Sequence, residues 1–268
     1  MLKPLPADMP ALLARTLGLL GLGMLVWACV STALLQGRGD AFLNLRPLQD
    51  RSLGVGLVLC ALLLAPLWRR PPASSDQRIW RPRALAALGV AMVGDLALIV
   101  LLHLPVHSPG LIAIAGAIAC MGALAAICMV TLALETPRSP WLLPAQCALA
   151  LLSGAVLFFA FMAWLWPGQM AAGGVPSLVL LGGICAALLL ATWLGEGRDA
   201  LLPVPARWPR WSLLLLVLVV PLLLVGVLAI KPGLQKPVWG LAVLAMAAVI
   251  GLDARERDTA PATRRNGA

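Results

Sequence analysis

Apolar residues in this chain come in long unbroken runs rather than in amphipathic stripes. The runs fall at 11–35, 52–68, 84–104, 111–133, 144–166, 175–194, 211–230 and 237–252. Each approaches or exceeds the roughly 20 apolar residues that carry an α-helix across a bilayer. They are rich in Leu and Ala and show no strict alternation, so membrane β-strands of about ten residues are excluded. The pattern predicts an all-α, polytopic transmembrane bundle of about eight helices over 1–252. A polar tail, expected to be disordered, follows over 253–268.

Composition agrees. The 268 residues are 61% hydrophobic and 12% charged, with a mean hydropathy of +0.95. A soluble domain carries about twice that share of charge. The first run follows Lys3, and Ser31-Thr32-Ala33 resembles a cleavage site. It is nevertheless longer than the 7–15 residues of a signal-peptide core, so retention as a helix is expected.

With eight helices, fourteen Lys and Arg flank the membrane on the side of both termini and five on the other, with Arg15 inside the first run. The asymmetry predicts cytoplasmic termini. It also accounts for the net charge of +9 through topology and anionic lipid, without nucleic acid. Trp68, Trp80, Trp141, Trp166, Trp208, Trp211 and Trp239 stand near run ends, as an interfacial belt requires.

Candidate chemistry is sparse. The six cysteines lie within apolar runs and form no CxxC or other metal-ligand spacing, so they read as small hydrophobes. No metal site and no resident cofactor are expected. The two histidines, His103 and His107, come from one stretch interrupted by Pro105, which does not suit a haem held between facing helices. Tyr is absent, which removes tyrosine from any electron or proton route.

Asp95 is the one acid well inside a run. A charge at mid-membrane costs about 2.5–3.5 kcal/mol on insertion scales. His103 follows eight residues on, about 80° around the helix. Two interpretations stand: a proton-handling or quinone-contacting wall formed by Asp95 and His103, or an acid neutralised by protonation, a helix–helix hydrogen bond or Arg15. Arg15 itself is expected to snorkel to the interface. Gln146, Ser153, Thr131 and Thr192 are expected to bond across helices or to their own carbonyls. The fourth run, dense in Gly, Ala and Cys, reads as the centre of the bundle.

One connector stands out. "LETPRSPWLLP", 134–144, carries Pro137, Pro140 and Pro144, which end one helix and start the next. Glu135 and Arg138 are placed to pair locally, and Glu135, Arg138 and Trp141 are candidates for docking a partner.

The stretch "CMVTLALETPRSPWLLPAQCALALLSGAVLF", 128–158, resembles the membrane-anchor subunits of the dimethyl sulfoxide reductase family, through Glu135, Pro137, Pro140, Trp141, Pro144 and Gly154. Weaker echoes are "QGRGDAFLNLRPLQDRS", 36–52, and "GLDARERD", 251–258. The chain departs from the family at Leu35 and Gln36, where a His precedes Gly-Arg, and near Gly54 and Val55, where an acid is missing. The resemblance implies an anchor in a bacterial inner membrane, serving anaerobic electron transport. Iron–sulfur and molybdopterin subunits would be its partners, and quinone or quinol an exchangeable substrate. A membrane scaffold or assembly protein without chemistry is the alternative, and a small-solute transporter with a helix broken near Pro221 the third.

Overall fold

The computed structural model describes residues 9–35, 40–69, 74–104, 108–135, 139–165, 174–195, 208–230 and 234–265. Among them there are only helices: α1 Met9–Leu35, α2 Asp40–Ala61, α3 Leu64–Arg69, α4 Ser75–His103, α5 Pro109–Leu134, α6 Leu142–Leu165, α7 Gly174–Gly195, α8 Trp208–Ile230 and α9 Gln235–Arg265. With α2 and α3 taken as one crossing, eight are long and apolar enough to span a membrane. The chain is an all-α polytopic bundle, as its hydrophobic pattern predicts.

The element ends differ from that pattern where local chemistry outweighs hydropathy. The second crossing starts at Asp40, not 52, and is interrupted at Leu62 and Leu63. There the backbone tightens to three-residue hydrogen bonds, Leu62 N–H to Leu59 O and Leu63 N–H to Cys60 O. Pro66 is the cause, since its ring would clash with the Leu62 carbonyl in a continuous helix. α4 starts at Ser75, inside the expected 69–83 loop. Ser74 caps it by accepting from Gln77 N–H at 3.2 Å, and Ser74-x-x-Gln77 is a capping-box spacing. α8 runs through Pro221, so the break a transporter would use is not formed.

The C-terminus is a correction. The segment expected as a disordered tail from 253 continues α9 as helix to Arg265, and Asp253 and Ala254 are buried. Charge lowered the hydropathy of this stretch, but its charged groups find partners inside the bundle.

The centre of the bundle is also not where small residues alone placed it. In the most apolar stretch, 67% of α1 and 72% of α6 is buried, against 44% of α5. α5 instead fits its small residues against α4, where Gly94 abuts Ala119 and Gly122 abuts Ala91. α1 and α6 cross at Gly23 and Gly154, backbone against backbone. Beside the crossing, the Trp27 indole N–H donates to Leu151 O at 2.9 Å.

Of the tryptophans, Trp68, Trp141 and Trp211 are exposed, as a belt requires, whereas Trp239 is fully buried and packs its ring on Phe159 at 5.8 Å. Thr131, Ser153 and Thr192 bond to their own helix carbonyls, the cheapest way to bury a hydroxyl in lipid.

Candidate functional site

Polar groups collect at the two ends of the bundle, with one acid between them. The first end is formed by the start of α1, the α5–α6 connection, the start of α8 and the end of α9. There Arg15 does not snorkel. It is 2% exposed and pairs with Glu135, the residue that caps α5. Glu135 also faces Arg257 at 3.6 Å. Arg257 in turn grips Asp253 with two hydrogen bonds of 3.0 Å. Gln146 on α6 donates to the same Asp253 at 2.6 Å. Beside this group, Arg210 on α8 pairs with Glu256 at 2.5 Å and lies over the Trp193 ring of α7 at 5.4 Å.

Three cations and three anions thus balance in one buried cluster, and α1, α5, α6, α8 and α9 are clasped together. Buried ions are tolerated when each finds a close counter-ion and its hydrogen bonds. The cluster is neutral and its Arg257–Asp253 pair is bidentate, while one Arg15 nitrogen finds no partner among the described residues.

This corrects the docking assignment of Glu135. Its side chain is 7% exposed and committed to two arginines, so it fixes the turn rather than meeting a partner. Trp141 is 49% exposed, with its backbone N–H held by the Ser139 hydroxyl at 3.3 Å. Arg138 lies outside the described residues. Just inside the clasp, the Cys128 and Cys147 sulfurs of α5 and α6 approach to 3.5 Å as free thiols.

At the far end, α2 meets α4. Arg46 donates to Leu102 O. His103 places Nε2 3.5 Å from the Asp50 carboxylate, with Nδ1 2.9 Å from Ile99 O. The imidazole is 58% exposed and so open to its surroundings.

Asp95 sits two helical turns deeper and is 0% exposed. Neither carboxylate oxygen has a hydrogen-bond partner among the described residues. Arg15, one candidate for neutralising it, is engaged in the clasp. Asp95 and His103 therefore do not form one wall: the first faces the interior, the second the bundle end. Among the described residues no group of three His, Cys, Asp or Glu side chains could hold a metal ion.

A groove of about 670 Å³ runs between Ala86–Leu101 of α4 and Leu111–Ile118 of α5, lined wholly by apolar residues. Its lining includes none of these polar residues.

No protein-family model, curated protein or solved structure matches the chain. The site therefore has to be interpreted from its own residues. Sequence reasoning missed the clasp because it assigned Asp253, Glu256 and Arg257 to a tail. The signal was present in the i, i+4 pair Asp253–Arg257, which continues the helical phase of the apolar run.

Proposed function

We propose that this chain is a membrane-anchor subunit of a multi-subunit oxidoreductase of the dimethyl sulfoxide reductase type. It holds an iron–sulfur partner at the clasped end, which the charge asymmetry puts in the cytoplasm of a bacterial cell. The observation that carries this reading is the 128–158 segment. It resembles the family's anchors, and both described ends of its connection are held by hydrogen bonds or ion pairs. Glu135 is locked by two arginines, and Trp141 stands half-exposed beside it. A rigid surface with an exposed tryptophan suits partner docking, because little side-chain freedom is lost on binding.

Quinol contact belongs at His103. Quinol oxidation releases protons, and an exposed imidazole beside a carboxylate has the geometry of a proton acceptor. The nearly apolar interior between the two polar ends favours the scaffold reading as the alternative.

Mild-detergent purification of the tagged chain from its native membrane, with mass spectrometry, separates the two. Stoichiometric molybdopterin and iron–sulfur subunits are expected. If the chain purifies alone, or with unrelated assembly factors, the anchor reading fails. Within such a complex, His103→Phe is expected to lower quinol oxidation by about 100-fold, the smaller end of acid–base contributions, while the subunits still co-purify. Unchanged quinol oxidation would remove His103 from the reaction.

A further inference from the structure

Outside the clasp, the buried polar atoms that find no protein partner among the described residues belong to α1, α2 and α4. They are the Thr32 hydroxyl, both ends of the Gln49 amide, Asp50 Oδ1 and both oxygens of Asp95. Thr32 and Asp95 are 0% exposed and Gln49 is 1%. Unpaired buried polar atoms are rare in folded proteins, and each calls for a physical account. Four such residues on three helices call for a shared one.

Helix register places three of them together and Asp95 further in. Along the α1–α2 contact, Gly21 faces Leu59 and Cys60, and Gly56 faces Leu25. Continuing that register seven residues further brings Thr32 opposite Gln49. Asp50 is next to Gln49 in the chain and meets His103 of α4. Asp95 lies eight residues deeper on α4, about 12 Å from the level of His103. Between these levels lie Ser52 and Cys29, both fully buried.

α1 packs on α2 and α5, and α4 packs on the same two helices, but α1 and α4 make no substantial contact with each other. The unpaired groups lie on helices that border that diagonal. Among the described residues no cation reaches Asp95. The titratable groups near it are Cys29 of α1 and Cys60 of α2, each close enough to interact electrostatically with its carboxyl, with Cys120 of α5 beside Cys29.

We infer that the space between α1, α2 and α4 holds a short chain of water molecules linking the His103–Asp50 end to Asp95, which is a reversible proton-binding site at the centre of the bundle. Buried water typically makes two to four hydrogen bonds to otherwise unpaired groups; Thr32, Gln49 and Asp50 supply them at the outer end, and Ser52 and Cys29 lie between that end and Asp95. Asp95 takes up a proton from this chain as a neutral carboxylic acid, since burying an unpaired carboxylate in lipid is far more costly. Only a proton moves, and no bond other than O–H is made or broken. The inference does not depend on the anchor reading; it holds equally for a scaffold.

Infrared spectroscopy of the full chain in lipid nanodiscs tests it. The carboxylic-acid C=O band lost in Asp95→Asn identifies the protonated group. In the wild type that band is expected to shift promptly when the medium is changed from water to deuterium oxide, and to fade reversibly at alkaline pH. Thr32→Val and Gln49→Leu are each expected to slow the shift by about tenfold or more, through loss of one hydrogen-bonding step. Thr32→Ser, which keeps the hydroxyl, is expected to leave it unchanged. Thr32→Val is nearly isosteric, so it keeps the test open if Gln49→Leu does not fold. Absence of an Asp95-dependent acid band overturns the inference, as does a band that fails to exchange over hours. Exchange as fast in Thr32→Val as in the wild type also overturns it.

Discussion

Glu135→Ala is expected to destabilise the bundle by about 3–5 kcal/mol, the usual cost of removing one member of a buried ion pair. The variant leaves Arg15 buried without a counter-ion and deprives Arg257 of one of its two acids. The charge left behind, more than the lost attraction, sets the size of the effect. Thermal denaturation in mild detergent, followed by loss of the monodisperse elution peak, measures it. The double variant Arg15→Met with Glu135→Leu is expected to recover most of the loss, because apolar replacement of a whole pair is often neutral or stabilising. Arg257 keeps its two hydrogen bonds to Asp253 in that background. If Glu135→Ala melts within about 0.5 kcal/mol of the wild type, the range of an inert surface substitution, the clasp is not the fastening described here.

Gly154→Val is expected to be at least as damaging, for a steric reason. A Cβ at residue 154 would stand 2.1 Å from the Gly23 carbonyl carbon and 2.3 Å from Met24 N. These are backbone atoms of a buried helix and cannot rotate away. α1 and α6 would have to separate, opening the most buried contact in the bundle along its length. A cost above about 3 kcal/mol is expected, beyond the ordinary range for overpacking, together with loss of the Trp27–Leu151 hydrogen bond. Gly89→Val on α4 is the control, since nothing lies within 4 Å of its added Cβ. Equal expression and melting of Gly154→Val and Gly89→Val would contradict the close crossing.

The clasp and the polar diagonal have different consequences for function. The clasp is buried and neutral, and its ion pairs and hydrogen bonds tie five helices together at one end. The diagonal contains groups with unused hydrogen-bonding capacity, and one of them is an acid. The ion pairs therefore sit at the end proposed for partner docking, and the proposed proton chemistry between the middle and the other end.

Fold class was legible in the sequence because the bilayer imposes a simple length and polarity rule. Eight crossings follow from the lengths of the apolar runs alone. Helix ends were less legible, since hydropathy is silent about caps and proline clashes. Ser74 extended α4 outward, and Pro66 divided the second crossing.

Individual sites divided along a similar line. Asp95 was visible at once, because a lone acid in an apolar run is an outlier against its neighbours. The clasp was not, because Arg15, Glu135, Gln146, Asp253 and Arg257 come from four helices, and no local pattern shows that they meet. Thr32 and Gln49 were missed for the same reason, since each is unremarkable until the α1–α2 register sets them opposite one another. The sequence by itself determined that this chain crosses a membrane, roughly where, and which residue there is costly to bury. Only the tertiary structure decided which charges neutralise each other and which buried polar groups stay unpaired, because pairing depends on distances between helices far apart in the chain.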